Sequence, residues 1–437
     1  MSTESRIMKF LLSTLLIGLI MAVGTAQNYQ EIKQKATDIE GKVIEWRRYF
    51  HEHPELGNRE FNTSEKIAKH LKSLGIEVTT GVAHTGVVGV LRGGKPGPVV
   101  GLRADIDALP VTERVDLPFA SKAKSEYIGQ DVGVMHACGH DTHIAMLMGA
   151  AEILAGMRDE LQGTVVFLFQ PAEEGAPPGE EGGARLMVKE GALSKNKVDV
   201  VFGMHISSGT EVGNVNYKPK GAMAASDRFV IKVKGKQTHG STPWNGIDPI
   251  TIAAQIIQGM NNIVARQTPL TKEAAVISFG KIDGGVRNNI IPEEVTLIGT
   301  IRTLDTDMQK DIWKRITQTA TNIAEAWGAT AEVDIQQGYP VTYNDPTLTQ
   351  EMLPMLKTTA GENHVHLVDA ITGAEDFSFF AREVPGLYVF IGGMKKGMNP
   401  KDAPSHHTPD FYIDESGMKL GVQLLCNFTL RYMDRHH

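Results

Sequence analysis

Nine consecutive residues, Met135-His136-Ala137-Cys138-Gly139-His140-Asp141-Thr142-His143, hold three histidines, a cysteine and an aspartate. Cys and His are the usual ligands of zinc and related divalent ions. A fold containing this stretch must therefore carry further ligands to it. Three clusters elsewhere offer them. Gln170-Pro171-Ala172-Glu173-Glu174-Gly175 follows the apolar run Val165-Val166-Phe167-Leu168-Phe169, Gly203-Met204-His205 ends another apolar run, and His406-His407-Thr408-Pro409 adds a distant pair. Taken singly, each has an ordinary explanation. A histidine at a strand end is usually a satisfied polar residue, adjacent glutamates are usually solvated, and Cys-x-His alone is a weak pattern. Their joint placement changes the weighing, because the carboxyl ends of strands are where open α/β sheets bind ligands. Together the clusters read as a metal-dependent hydrolase.

The surrounding pattern predicts an α/β fold. Helices are expected over 32–51, from the Asn62-Thr63-Ser64-Glu65 start to Leu74-Gly75 with Asn62 as cap, and over 142–157. Apolar strands are expected over 87–91, 99–103, 164–169 and 198–205, giving a mixed, largely parallel sheet covered by helices. Residues 222–337 follow another logic. Phe229, Ile231 and Val233 alternate with charged residues, and the order β-α-β-β-α-β is that of a ferredoxin-like α+β unit. Helix and strand signals of the first kind resume afterwards, at 346–360, 387–391 and 414–433. The expected organisation is a metal-binding domain of 27–221 and 338–437 with 222–337 inserted. A chain of 437 residues suits two domains better than one core.

A net charge of −7, with no basic run able to track phosphates, argues against a nucleic-acid partner. At the N-terminus Arg6 and Lys9 precede the apolar run from Phe10 to Val23, and Gly24-Thr25-Ala26 supplies small residues. That run is shorter than the ~20 residues of a spanning helix. Residues 1–26 are expected to be a cleaved signal peptide, giving an exported protein, periplasmic or secreted, with no stable membrane anchor after cleavage. The only cysteines are Cys138, inside the ligand cluster, and Cys426, inside an apolar helical pattern, so no disulfide is expected.

Cys138, His140, Glu174, His205 and His407 suffice for two divalent ions with open positions. A thiolate suits Zn²⁺ and leaves Mn²⁺, Co²⁺ and Ni²⁺ open. Adjacent carboxylates point in different directions, so Glu173 is the candidate general base beside a ligating Glu174. Asp105 and Asp107, in Arg103-Ala104-Asp105-Ile106-Asp107-Ala108-Leu109-Pro110, end another strand, where either can orient a ligand histidine.

That last run, with His51-Glu52-His53-Pro54-Glu55-Leu56, His-Ala-Cys-Gly-His-Asp at 136–141, Pro-Ala-Glu-Glu-Gly at 171–175 and Gly373-Ala374-Glu375-Asp376-Phe377, resembles the aminoacylase-like dinuclear metallohydrolases. Within them it looks most like the branch of hippurate hydrolases and plant hydrolases of indole-acetyl amino acid conjugates. The likeness runs from about Ile39 to the C-terminus. It implies two divalent ions per subunit on the five ligands, with Glu173 as base and His407, before Thr-Pro, favoured over His406. It further implies that the inserted unit is a lid and dimerisation domain, that His239 stabilises a developing oxyanion, and that Asn289 and Arg302 face the substrate carboxylate or the tetrahedral intermediate. A guanidinium can bind a carboxylate bidentately on its own chemistry. The expected activity is hydrolysis of N-acyl amino acids by a homodimer. The alternatives are a dipeptidase or carboxypeptidase on the same scaffold, and a metal-dependent binding protein without turnover. Glu173 argues against the last, since binding needs ligands but no base.

Overall fold

The computed structural model describes residues 28–437, so the expected signal peptide lies outside the described residues. Among them, no helix is long and apolar enough to cross a membrane. The chain divides into two compact units. The first holds the residues up to Tyr217 with Thr347–Leu367 and Glu383–His437, the second Lys218–Pro346 with Val368–Arg382.

The first unit is built on an eight-stranded sheet in the spatial order Glu77–Val82, Gly86–Arg92, Gln162–Gln170, Lys95–Asp105, Val200–Glu211, Gly386–Met394, Val215–Tyr217, Val365–Leu367. Its four central strands are mutually parallel. They are runs such as Val165–Phe169 and Val200–Phe202, buried on both faces, as parallel interior strands require. An antiparallel hairpin, Glu77–Val82 with Gly86–Arg92, closes one edge. Register sets the position of the chemistry. Asp105 pairs with Gln170 and Arg103 with Gly203, so Asp105, the loop after Gln170 and His205 emerge at one level.

Helix His140–Gly156 is buried around nearly its whole circumference, which its uniformly apolar sequence demands. It packs against helices Glu40–Glu52 and Met418–Arg435. Gly421 permits the second contact, since a Cβ there would lie 2.1 Å from Met146 Sδ. Two local expectations are corrected. The first helix is interrupted at Ile39, and Asn62 lies inside its helix, Phe61–Ser73, instead of capping it. Its amide and that of Thr63 donate to the Glu55 carboxylate at 3.2 and 2.8 Å. A cap from six residues before the helix leaves no local spacing signal. The exposed hairpin of Lys124–Tyr127 and Gln130–Gly133 also lacks the apolar alternation that reveals a strand.

In the second unit, Ala225–Lys234, Pro249–Asn262, Ala275–Asp283, Glu294–Thr303, Thr306–Ala326 and Thr330–Tyr339 realise the β-α-β-β-α-β order. The four strands form an antiparallel sheet in which the first and third are central, as in a ferredoxin-like unit. Phe229, Ile231 and Val233 are buried in a core with Ile252, Ile256, Ile312 and Ile316 from the two helices. Val368–Arg382, placed with the metal-binding domain by the sequence reading, groups here instead. The Ala224 amide donates to the carbonyls of Ile371 and Gly373, Ile371 donates back to Ala222, and Thr342 Oγ1 donates to the Glu375 carbonyl. Such pairing is invisible in a motif read along the chain.

A buried charge network ties the first helix to the cluster. Arg47 Nε lies 2.7 Å from Asp141, and His51 bonds Asp141 through Nδ1 (2.9 Å) and Glu113 through Nε2 (3.1 Å). Burial and Arg47 oppose a charge on His51, but the two carboxylates outweigh them and raise its pKa above the ordinary 6.5. A raised folded-state pKa means stabilisation present below the unfolded value and lost as pH rises through the folded one. The stability difference between wild type and His51→Gln, measured by urea denaturation, is expected to be largest below pH 6.5 and to shrink above it.

Candidate metal centre

Three backbone departures present the ligands. Gly139, with φ of 94°, precedes helix His140–Gly156, and a Cβ there would lie 2.4 Å from Ile206. Ala172 (φ 49°) and His407 (φ 62°) are non-glycine residues in the left-handed region, a conformation costing about 1–2 kcal/mol. Buried Glu60 holds the Ala172 turn, accepting from the Ala172 amide at 2.9 Å and from Thr85 Oγ1 at 2.5 Å. Nothing in the sequence marked Glu60, because its partners come from distant segments.

The five proposed ligands and Glu173 converge in the first unit. Cys138 Sγ lies 3.3 Å from His205 Nε2 and 3.2 Å from His407 Nε2. His407 Nε2 lies 3.0 Å from Glu174 Oε1, and His140 Nε2 lies 3.9 Å from both Glu173 Oε2 and Glu174 Oε1. The ligand atoms form overlapping groups, among them Cys138-His140-His205 and Cys138-Glu174-His407, each within 4.8 Å. Cys138 is common to these two triads, an arrangement suited to a pair of ions. His406 turns elsewhere. Its Nε2 accepts from the Ser208 amide at 3.1 Å and its Nδ1 donates to the Cys138 carbonyl at 3.2 Å.

Orientation of the histidines comes from carboxylates and carbonyls behind them. His140 Nδ1 donates to Asp107, at 2.9 Å to its carbonyl and 3.2 Å to Oδ1, while Asp107 Oδ2 accepts from the Glu174 amide at 3.0 Å. Asp105, expected to orient a ligand histidine, lies 3.9 Å from His140 and bonds His143 at 2.5 Å instead. His143 Nε2 accepts from the Ile206 amide at 2.9 Å, so Asp105 acts on the His205 strand through a third residue. Asp105 is the last residue of strand Lys95–Asp105, and Asp107 lies in the loop that follows. His205 Nδ1 donates to the Ile206 carbonyl at 2.6 Å, which leaves Nε2 toward Cys138. His136 joins none of the ligand groups, and burial pushes it down to about 4, keeping it neutral.

The electrostatics fit a cation. Burial, then Glu174 and Glu173, push the Cys138 thiol well up. Burial opposes charge on His140, yet Asp105, Asp107 and Glu174 carry it up to about 10. A divalent ion between these groups reverses both tendencies, deprotonating the thiol and the imidazole. His140 Nε2 is buried without a hydrogen-bond partner among the described residues, as a metal-facing nitrogen would be.

The three other expected site residues lie in the second unit. His239 pairs with Ile290 across a short antiparallel ladder, and the Gly240 amide donates to the Asn289 carbonyl at 2.9 Å, so His239 and Asn289 are neighbours. His239 Nδ1 accepts from the Ser241 amide at 3.0 Å, and its side chain is exposed. Arg302 lies on the sheet, paired with Ser226 and Val276.

The sequence profile of peptidase family M20/M25/M40 matches residues 101–431. The chain belongs to this family. It is 42% identical over 400 residues to thermostable carboxypeptidase 1 of Saccharolobus solfataricus, covering 90% of this chain and 96% of that one. It is 36% identical over 399 residues to the N-acetyl-L-cysteine deacetylase of Bacillus subtilis, covering 91% and 89%. A crystal structure of a Bacillus subtilis protein described as a dinuclear metal-binding peptidase of family M20 superposes with a TM-score of 0.76 at 34% identity, covering 91% of this chain and 99% of that one. This M20 protein is a metal-dependent hydrolase of C–N bonds.

Asp107 holds both His140 and the Glu174 amide, so Asp107→Asn is expected to weaken metal affinity about 10- to 100-fold. Titration of the apoprotein against a metallochromic indicator checks this. Unchanged affinity would show that His140 needs no such support.

Proposed function

We propose that the protein hydrolyses the amide bond of N-acyl amino acids. The observation that carries this reading is the pair of ligand triads sharing Cys138 with Glu173 beside them. Cys138, His140, Glu174, His205 and His407 would hold two divalent ions; Zn²⁺, Mn²⁺, Co²⁺ and Ni²⁺ all suit this donor set. Bound there, the ions would polarise the scissile carbonyl and acidify a water. Glu173 takes the proton from that water and delivers it to the leaving nitrogen, a step its adjacency to the ligands makes short. Asp107 keeps His140 in one tautomer. As the family resemblance implies, His239 stabilises charge developing on the carbonyl oxygen, while Asn289 and Arg302 face the substrate carboxylate or the tetrahedral intermediate.

The acyl-amino acid class is supported by relatives named N-acetyl-L-cysteine deacetylase and IAA-amino acid hydrolase. The carboxypeptidase names among the relatives favour a second reading, cleavage of short peptides on the same centre. In our reading the protein works as a homodimer after export, periplasmic or secreted. A panel of acetyl-, benzoyl- and indole-acetyl-amino acids and dipeptides, offered to the metal-loaded protein, separates the two. Turnover of dipeptides alone would overturn the first.

Chelation is expected to abolish hydrolysis and added Zn²⁺, Mn²⁺ or Co²⁺ to restore it. Glu173→Gln is expected to keep its metal and lose about 10²- to 10⁴-fold in kcat, whereas Glu174→Gln loses metal. Metal analysis beside kinetics decides between them, and the reverse pattern would exchange the two roles. His239→Ala is expected to lower kcat roughly 10²- to 10³-fold with metal content unchanged. A value within twofold of wild type would remove His239 from the mechanism.

A further inference from the structure

A cavity adjoins the cluster within the first unit. It encloses about 190 Å³ and is bordered on its inner side by Asp107 and Glu174. Leu56, Leu109, Pro110, Tyr127, Pro177 and Pro178 form its apolar wall. An apolar cavity of about 150 Å³ accepts a benzene ring, so this one has room for a single aromatic or branched aliphatic group. Its charges are unsuited to an anion. Arg59 reaches the rim, but Glu180 holds its guanidinium through two bonds, at 2.5 and 3.0 Å. The other rim charge, Glu126, is acidic like the inner pair.

The outer lip is the turn of the hairpin that the sequence reading missed. Tyr127 pairs with Gln130, leaving Ile128 and Gly129 as a two-residue loop. Both have positive φ, 51° and 73°, the type I′ geometry for which Asn-Gly is the favoured pair. A β-branched residue in this region is an outlier, and Ile128 is also 67% exposed. Folding alone favours Asn here, and burial does not reward Ile. Ile128 nonetheless lines the cavity. Strain retained without a packing gain is the signature of a residue held for contact with something else.

The geometry points to this cavity as the subsite for the acyl half of the substrate, with Ile128 as a specificity-determining lip that selects bulky apolar acyl groups. The inference rests on the acyl-amino acid reading. Of a substrate's two halves, the amino acid carries the carboxylate and meets at the rim only Arg59, already held by Glu180, and the like-charged Glu126, while the acyl group carries the apolar surface that matches the wall.

The test compares kcat/KM for N-benzoyl and N-acetyl derivatives of one amino acid, using metal-loaded wild type and Ile128→Asn, together with the thermal midpoint of each. Apolar contacts of this size discriminate substrates about 10- to 200-fold. The benzoyl-to-acetyl ratio is expected to fall roughly 10-fold in Ile128→Asn, while the midpoint stays level or rises as the turn relaxes. A ratio within twofold of wild type overturns the subsite, and so does a drop in midpoint, which would make Ile128 a structural residue. Wild type that cleaves neither derivative fails at the acyl-amino acid reading and takes the subsite with it; wild type that cleaves both tests the subsite alone.

Discussion

A thiol, two carboxylates and three imidazoles share a volume a few ångströms across most readily around a cation. Cys138, Glu173, Glu174, His140, His205 and His407 do share one, and the rest of the first unit can be understood as the scaffold that keeps them there. Repulsion among the carboxylates and the cost of a buried thiolate would otherwise drive the group apart. Rigid backbone and committed hydrogen bonds oppose this. Asp107 holds His140 and the Glu174 amide together, Glu60 holds the Ala172 turn, and His143 joins Asp105 to the strand of His205.

Strain is concentrated where function needs direction. Ala172 and His407 adopt left-handed backbone immediately before or at groups that face the cluster, and Ile128 does so at the lip of the adjoining cavity. The interior supports such departures because it is closely packed. Helix His140–Gly156 starts at the cluster and is enclosed along its length, so its N-terminal side chains have little freedom to move. The Arg47-Asp141-His51-Glu113 network extends this rigidity outward. It anchors the residue next to His140 to a helix far away in sequence.

The chain by itself determined the fold class and pointed to the candidate ligands. Apolar runs of strand length, such as Val165–Phe169 and Val200–Phe202, can be satisfied only inside a covered parallel sheet. The alternation of Phe229, Ile231 and Val233 can be satisfied only by a sheet with one buried face. Cys138, His140, Glu174, His205 and His407 stood out because their chemistry is written in residue type and in position after strands. Tertiary structure decided the rest. Register brought Asp105 level with Gln170 and assigned it to His143, leaving Asp107 for His140. The folded chain set His407 against Cys138 and Glu174 and left His406 bonded to the Ser208 amide and the Cys138 carbonyl. Glu55 as a helix cap, Glu60 as the holder of a turn, and the grouping of Val368–Arg382 with the second unit all rest on partners distant in sequence. Residue type and periodicity report what a side chain can do and which face it occupies, but the identity of a long-range partner exists only once the chain has closed on itself.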